Sequence, residues 1–304
     1  MTQKLSALKI GILSIILGSI VLGSVGIFVR LAEKNLQPMT QSFGRIFTAF
    51  VFITIFNLAQ NKLKKETFNV SRKDFGLFIA NGLIGMSLQT AAFTLSIIYT
   101  SISNTYFLLY TAPVFAAILS AIFLKEKIRR YIVIAILMSF VGLLFLFNPS
   151  NLTQNILGNS FGLFTGLTFG SYFVITGFLG KKYSSATITF WSQFFGALGI
   201  LPLIFIFDKP TSVSLNLSHW LPVIGAGFAV FVGYYLLNYG LTKISGAAGS
   251  ILSLFEPLSS VFYGLLLFSE HPSSSTLIGA FFILSSISYL TYSQTNQSQK
   301  ASIN

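Results

Sequence analysis

Cysteine is absent from the 304 residues, which excludes disulfides, thiol nucleophiles and cysteine-ligated metals and leaves the redox compartment undetermined. Histidine is nearly absent too. The only two, His219 and His271, lie far apart in polar segments without close acidic companions, so no zinc-type ligand set can be read from the pattern. Charge is scarce: 7 acidic residues stand against 19 Lys and Arg, and together they make up 9% of the chain, against about 25% in an ordinary soluble domain. No GxxxxGK[ST] occurs, so ATP-driven pumping by this chain is not expected. GNSFG at 158–162 matches the G-x-S-x-G nucleophile elbow in letters, but it opens an apolar helix and follows no strand, so an enzyme reading has nothing to stand on.

What fills the space is apolar: 53% of the residues are hydrophobic and 33 are Phe. Almost the whole chain divides into ten apolar runs, uncharged but for Arg45 and Glu256: 10–29, 39–58, 75–96, 101–124, 131–147, 157–179, 187–207, 220–241, 246–268 and 275–293. Each is near the roughly 20 residues a helix needs to cross a hydrocarbon core of about 30 Å. The expected fold is an all-α polytopic membrane protein. The first run is too long for a signal-peptide core and no small-residue cleavage site follows it, so it is kept as a span. The longest polar connection, at 60–74, has 15 residues, and the polar stretch 294–304 is expected to be a disordered cytoplasmic tail.

The net charge of +12 is distributed as a membrane protein distributes it. With the N-terminus inside, inner segments hold fifteen Lys and Arg, whereas outer segments hold only Arg30, Lys34 and Lys209, and Arg45 falls within a span. That asymmetry places both termini in the cytoplasm by the positive-inside rule. The basic clusters read as topogenic, lipid-facing charge, and no nucleic-acid partner is expected.

The chain also repeats itself. LYTAPVFAAILSAIFLKE (109–126) and LFEPLSSVFYGLLLFSE (254–270) align at a shift of 144, which pairs Pro113 with Pro257 and Glu126 with Glu270. The same shift pairs Ser101 with Ser245, Leu108 with Leu252, Gly18 with Gly162 and Gly26 with Gly170. Residues 1–148 and 149–293 therefore read as two halves of five spans each. An odd number of crossings turns the second half over relative to the first, and inverted repeats of this kind belong to carriers that rock about a shared centre. Gly158, Gly162, Gly166 and Gly170, spaced by four, form a small-residue stripe suited to close helix packing where lipid gives no hydrophobic drive. Gly11, Gly18, Gly23 and Gly26 make a weaker version in the first span.

Only Arg45 and Glu256 place formal charge inside spans. Each costs about 2.5–3.5 kcal/mol at a helix centre on insertion scales, so each is a candidate functional group. Arg45 lies roughly two turns from the outer end of its span, where either snorkelling outward or binding an anionic group is open to it. Glu256 stands near mid-membrane. It has two readings: a buried acid that donates a hydrogen bond within the bundle, or a cavity group that holds a proton or a substrate cation. Pro257 denies a helical hydrogen bond to the carbonyl of Ser253, so a kink is expected there, and another at Pro113. Amphipathic side chains on neighbouring spans, Gln89, Tyr106, Tyr110, Tyr234 and Asn238 foremost, suit a pocket that is mostly apolar with a few orienting hydrogen bonds.

Two segments, YTSISNTYFLLYTAPVFAAILSAIFLKE and KISGAAGSILSLFEPLSSVFYGLLLFSE, resemble the repeated EamA signature: a small-residue start, a mid-helix Pro and a terminal Glu, with Glu-Pro in the second copy. GRIFTAF in the second span is similar to the Arg-aromatic pattern of the same carriers, which belong to the drug/metabolite transporter superfamily. The resemblance implies ten helices in two inverted five-helix repeats, both termini inside, around a cavity built largely by spans 3, 4, 8 and 9. It maps the signature onto Pro113, Glu126, Glu256, Pro257 and Glu270, and the span 2 arginine onto Arg45. Span 1 departs from the pattern, with Leu22-Gly23-Ser24 where many relatives carry Trp before a small residue.

These readings converge on a secondary carrier of a bacterial cytoplasmic (inner) membrane that exports a small amphipathic metabolite, amino-acid-like or drug-like, by alternating access. Pro113 and Pro257 would serve as hinges. No cofactor is expected, although proton coupling is compatible with Glu256, and the partners are a small-molecule substrate and the lipid bilayer. An importer of a vitamin or nucleobase with the same fold, and a non-transporting membrane scaffold, are the alternatives.

Overall fold

Inside a bilayer the backbone must satisfy its own hydrogen bonds, and the apolar runs do so as helices. The computed structural model describes residues 2–32, 36–61, 63–150, 152–208 and 216–300. Of the charges that orient the chain, Lys34, Lys62 and Lys209 lie outside them. The described residues contain no strand and ten helical segments long and apolar enough to cross a membrane, so this is a multi-pass membrane protein. In chain order the helices are α1 (Thr2–Gly23), α2 (Val25–Ala32), α3 (Pro38–Ala59), α4 (Arg72–Gly82), α5 (Gln89–Tyr99), α6 (Ile102–Leu109) and α7 (Ala112–Phe123). There follow α8 (Arg130–Phe147), α9 (Ile156–Leu179), α10 (Ser185–Phe207), α11 (Leu217–Leu241), α12 (Gly246–Leu252), α13 (Phe255–Phe268) and α14 (Ser274–Lys300). Span 1 joins α1 and α2; span 3 joins α4 and α5 through a π-helical turn, Leu83–Leu88; α6 with α7 and α12 with α13 make spans 4 and 9.

Spans 4 and 9 are the repeat seen at close range. Both open on a serine cap: Ser101 accepts a hydrogen bond from the Asn104 N–H, and Ser245 from the Ala248 N–H. Both break one turn before or beside their proline, at Tyr110-Thr111 and at Ser253-Leu254. The break replaces the expected kink at Pro257. The Ser253 carbonyl that Pro257 cannot serve is taken by the Glu256 N–H at 2.9 Å, so the start of a fresh helix absorbs the proline without an orphaned acceptor. Both spans also end alike, on a non-glycine residue in the left-handed region, Lys125 and Ser269 (φ 54° in each). The next residue, Glu126 or Glu270, bonds back through its N–H to the carbonyl of Ser120 or Gly264, 3.2 Å in both cases.

Packing obeys the same relation. α1 lies along α11 as α9 lies along α5, and α9 packs on α6 and α7 as α1 packs on α12 and α13. α3 with α10, and α8 with α14, join equivalent spans across the two halves. The glycine stripe of α9 is the means of one approach. A Cβ on Gly158 would stand 2.6 Å from the Tyr99 carbonyl carbon, one on Gly166 2.6 Å from the Leu108 oxygen, and one on Gly170 2.8 Å from the Ala112 oxygen. The stripe in span 1 does this only in part: a Cβ on Gly18 would stand 2.7 Å from the Gly233 oxygen, whereas one on Gly26 would meet nothing within 4 Å.

Polar contacts fasten the ends. The Asp208 carboxylate caps α3, accepting from the Met39 N–H (3.2 Å), the Thr40 N–H (2.7 Å) and the Thr40 hydroxyl (2.6 Å), where the positive end of a helix dipole favours an anion. At the opposite end Asp74 is held by Lys182 at 3.1 Å and by the Tyr183 hydroxyl at 2.8 Å. Burial, and then the donation to Asp74, push the Tyr183 phenol above its ordinary range. The expected tail is corrected: α14 continues to Lys300, and residues 301–304 lie outside the described set. Packing along α8 and a hydrogen bond from Arg129 to Gln297 give these polar residues a surface on which helix is preferred to coil.

Candidate functional site

The two broken spans place their breaks where the polar side chains of the bundle meet. Tyr106 and Tyr110 stand one turn apart at the end of α6, with rings stacked at 6.1 Å. Phe147, at the end of α8, lies nearly parallel to both, 5.8 Å from each ring. Its carbonyl accepts a hydrogen bond from Ser103, which fixes the last turn of α8 over the tyrosines. Phe93 closes the other side of Tyr106 edge-on at 5.1 Å. Phe147 carries no sequence signal as a wall, because it is one of 33 Phe in an apolar chain.

Glu256 enters as the second residue of α13, with Tyr110 in electrostatic range of its carboxyl group. Its backbone is pinned to span 1 and its own helix: the Glu256 carbonyl accepts from Ser259 (2.8 Å) and Ser260 (3.1 Å), while Ser260 also reaches the Gly23 carbonyl (3.1 Å). A Cβ on Gly23 would stand 2.8 Å from the Glu256 oxygen. Leu22-Gly23-Ser24, the departure in span 1, is therefore where this chain lets span 1 come against the backbone of its central acid.

Arg45 does not snorkel outward. It is turned into the bundle, where Tyr106 and Tyr234 both lie within electrostatic range of its guanidinium. Tyr106 and Tyr234 also lie within range of Glu256. Arg45 and Glu256 thus flank the same aromatic groups from different helices, and no ion pair joins them among the described residues. Both are partly buried against the same aromatic cluster. Pro113 and Pro257 are buried at the breaks beside it.

The structure separates Asn238 from this group. It is 0% exposed and committed on both sides, accepting from the Tyr172 hydroxyl at 2.8 Å and donating to Thr189 at 2.9 Å. A second buried amide, Asn81, donates to Thr176 (3.1 Å) and Ser192 (2.8 Å). The two amides tie spans 3, 6, 7 and 8 together beneath Tyr234, whose ring meets Tyr172 edge-on at 5.3 Å. Asn238 is a buried strut, with its amide oxygen and its amide nitrogen both engaged. Asn238→Ala should lower stability by about 1–3 kcal/mol, because it strands the Tyr172 hydroxyl and the Thr189 hydroxyl; a thermal melt in detergent measures the loss. The folded fraction should keep the substrate affinity of the parent, and a large loss of affinity would return Asn238 to the site. Gln89 is partly buried, and its amide oxygen accepts from Thr90 at 3.2 Å, so its bond stays within its own helix.

Gln193, which the sequence reading passed over, is 0% exposed on α10, and neither of its amide atoms has a hydrogen-bond partner. It lies one turn beyond Thr189, on a helix that packs against α3, the carrier of Arg45. Sequence pattern could have singled it out as an amide among the aromatics of ITFWSQFFGA.

The description "EamA-like transporter family" matches the chain twice, over residues 9–148 and 156–292. An uncharacterized transporter of Archaeoglobus fulgidus is similar at 28% identity over 282 residues, covering 92% of this chain and 96% of its own. The uncharacterized transporter YoaV of Bacillus subtilis is 23% identical over 293 residues, covering 93% and 96%. The uncharacterized inner membrane transporter YicL of Salmonella typhimurium is 23% identical over 300 residues, covering 96% and 98%. A crystal structure 16% identical superposes with a TM-score of 0.75 over 94% of this chain and 98% of its own, a likeness of fold. With both halves matched and ten spans in place, the chain is a membrane transporter that belongs to the EamA-like transporter family.

Proposed function

We propose that the protein is a secondary carrier that exports a small, zwitterionic or otherwise amphipathic metabolite across a bacterial cytoplasmic membrane by alternating access. The observation that carries this reading is the pair of opposite charges, Arg45 and Glu256, held against one aromatic cluster with no ion pair between them among the described residues. Two charges that could neutralise each other but are kept apart are disposed to bind a ligand carrying both signs. Arg45 takes the anionic group with a planar fork of donors, and Glu256 takes an ammonium group or a proton. Tyr106, Tyr110, Tyr234 and Phe147 supply the apolar body of the pocket with hydroxyls at its edges.

Five spans per half orient the two halves oppositely, with both termini on the cytoplasmic side, and the helix breaks before Pro113 and Pro257 provide the joints about which the halves rock. Purified protein should gain melting temperature with a zwitterionic amino acid or an amphipathic cation, by mass action on the folded state. Vesicles loaded with the stabilising compound should release it faster when they carry the protein. Stabilisation confined to nucleobases, or to no small molecule at all, would sink the reading.

A further inference from the structure

We propose that the two terminal glutamates of the repeat are matched latches: Glu270 with Arg30 closes the outer mouth of the transport path, and Glu126 with Lys181 closes the inner one. Three ion pairs occur among the described residues, and two of them use these equivalent carboxylates. Glu270 meets Arg30 at 2.6 Å, and Glu126 meets Lys181 at 3.6 Å. Each pair joins the end of a broken span, 9 or 4, to the end of the span that packs along it, 1 or 6. The cations obey the two-fold relation only by span: position 174, which the shift of 144 assigns to Arg30, is Val174. The acids obey it by residue, down to the left-handed Lys125 or Ser269 that precedes each and the 3.2 Å return bond that aims it.

The two latches are not in the same condition. Arg30 is drawn against Glu270 and also lies 4.4 Å above the ring of Phe268, so the outer pair is held on two sides. The inner pair is longer and borders a cavity of about 930 Å³. Its lining includes Glu126 and Lys127 together with Ala117 and Ala247 on the two broken spans. Both pairs are substantially exposed. Exposed ion pairs typically contribute about 0.2–1 kcal/mol, and one that is stronger in one state than in the other shifts a two-state equilibrium by up to about fivefold. A device of that strength biases the direction in which a carrier faces without locking it. The inference rests on the alternating access proposed above, and its test is separate from substrate recognition.

Because the chain has no cysteine, a single Ala117→Cys reporter in the cavity wall can be alkylated without background. A membrane-impermeant maleimide is added to inside-out vesicles, and the labelling rate is read with no substrate present. Glu126→Gln and Lys181→Gln should each raise the rate, and Glu270→Gln should lower it, by up to about fivefold. Glu126→Gln combined with Glu270→Gln should return it toward the parent, and Arg30→Glu with Glu270→Arg should restore it. Shifts of the same sign for the two glutamates, or no shift in either, would overturn the latches. Opposite shifts in a protein that binds no small molecule would keep the latches and remove the substrate reading.

Discussion

Glu256→Gln is expected to abolish transport while leaving insertion, yield and melting temperature near those of the parent. Glutamine keeps the shape of the side chain, so the packing around the start of α13 should hold. What disappears is the negative charge and the exchangeable proton. Truncating one partner of a buried, hydrogen-bonded charge pair costs about 2–5 kcal/mol, a factor of roughly 30 to several thousand in binding. The prediction is checked in reconstituted vesicles with the compound found by thermal shift, across a range of pH. If Glu256 exchanges a proton, the parent shows a pH-dependent rate and the residual rate of the variant is flat. Full activity with the parental pH profile would return Glu256 to the role of a structural acid. Glu256→Asp, which keeps the charge on a shorter arm, should recover part of the loss.

Gly166→Leu should be the most damaging substitution in the packing. The Cβ alone would stand 2.6 Å from the Leu108 carbonyl oxygen and 2.5 Å from the Thr111 hydroxyl. The hydroxyl can rotate away, but the carbonyl is backbone at the break of span 4 and cannot. Relief therefore requires α9 to withdraw from α6 and α7, with loss of contacts along the whole stripe. Overpacking of a close interface costs about 1–3 kcal/mol and at times more, and this site belongs at the upper end because no flexible side chain separates the helices. Thermal unfolding in detergent and the monodisperse yield measure it. Gly26→Leu is the matched control, since that position is exposed and a Cβ there would meet nothing within 4 Å, so the chain should accept the side chain without loss. A parental melting temperature for Gly166→Leu would show that the helices do not meet there as described.

Much of this was legible from residues alone, for reasons that can be stated. Helices in a bilayer are dictated by length and apolarity, so the ten runs became ten spans. A shift of 144 predicted equivalence between spans 4 and 9, and their serine caps, breaks and terminal turns agree. Arg45 and Glu256 stood out because charge in hydrocarbon is costly. Tyr106, Tyr110 and Tyr234 were weaker signals, amphipathic rings that serve equally as core or belt, and the fold gathers these three around the charges.

Asn238 looked the same in the sequence and turned out to be a strut, because its partners Tyr172 and Thr189 are 66 and 49 residues away. Phe147 and Gln193 went unnoticed for a related reason: neither residue type is unusual in an apolar helix, and only packing shows which face it presents. Polar composition at 294–300 indicated coil, and a neighbouring helix overrode it.

By itself the sequence determined the solvent, the number of crossings, the duplication and the two charged residues of the interior, since each depends on local composition or on spacing along one chain. Only the tertiary structure decided which polar groups cluster and which brace the bundle, that Arg45 turns inward, and that Glu126 and Glu270 find cations at the ends of spans 6 and 1. Those outcomes depend on distances between residues remote in sequence, set by how closely glycine-lined helices pack.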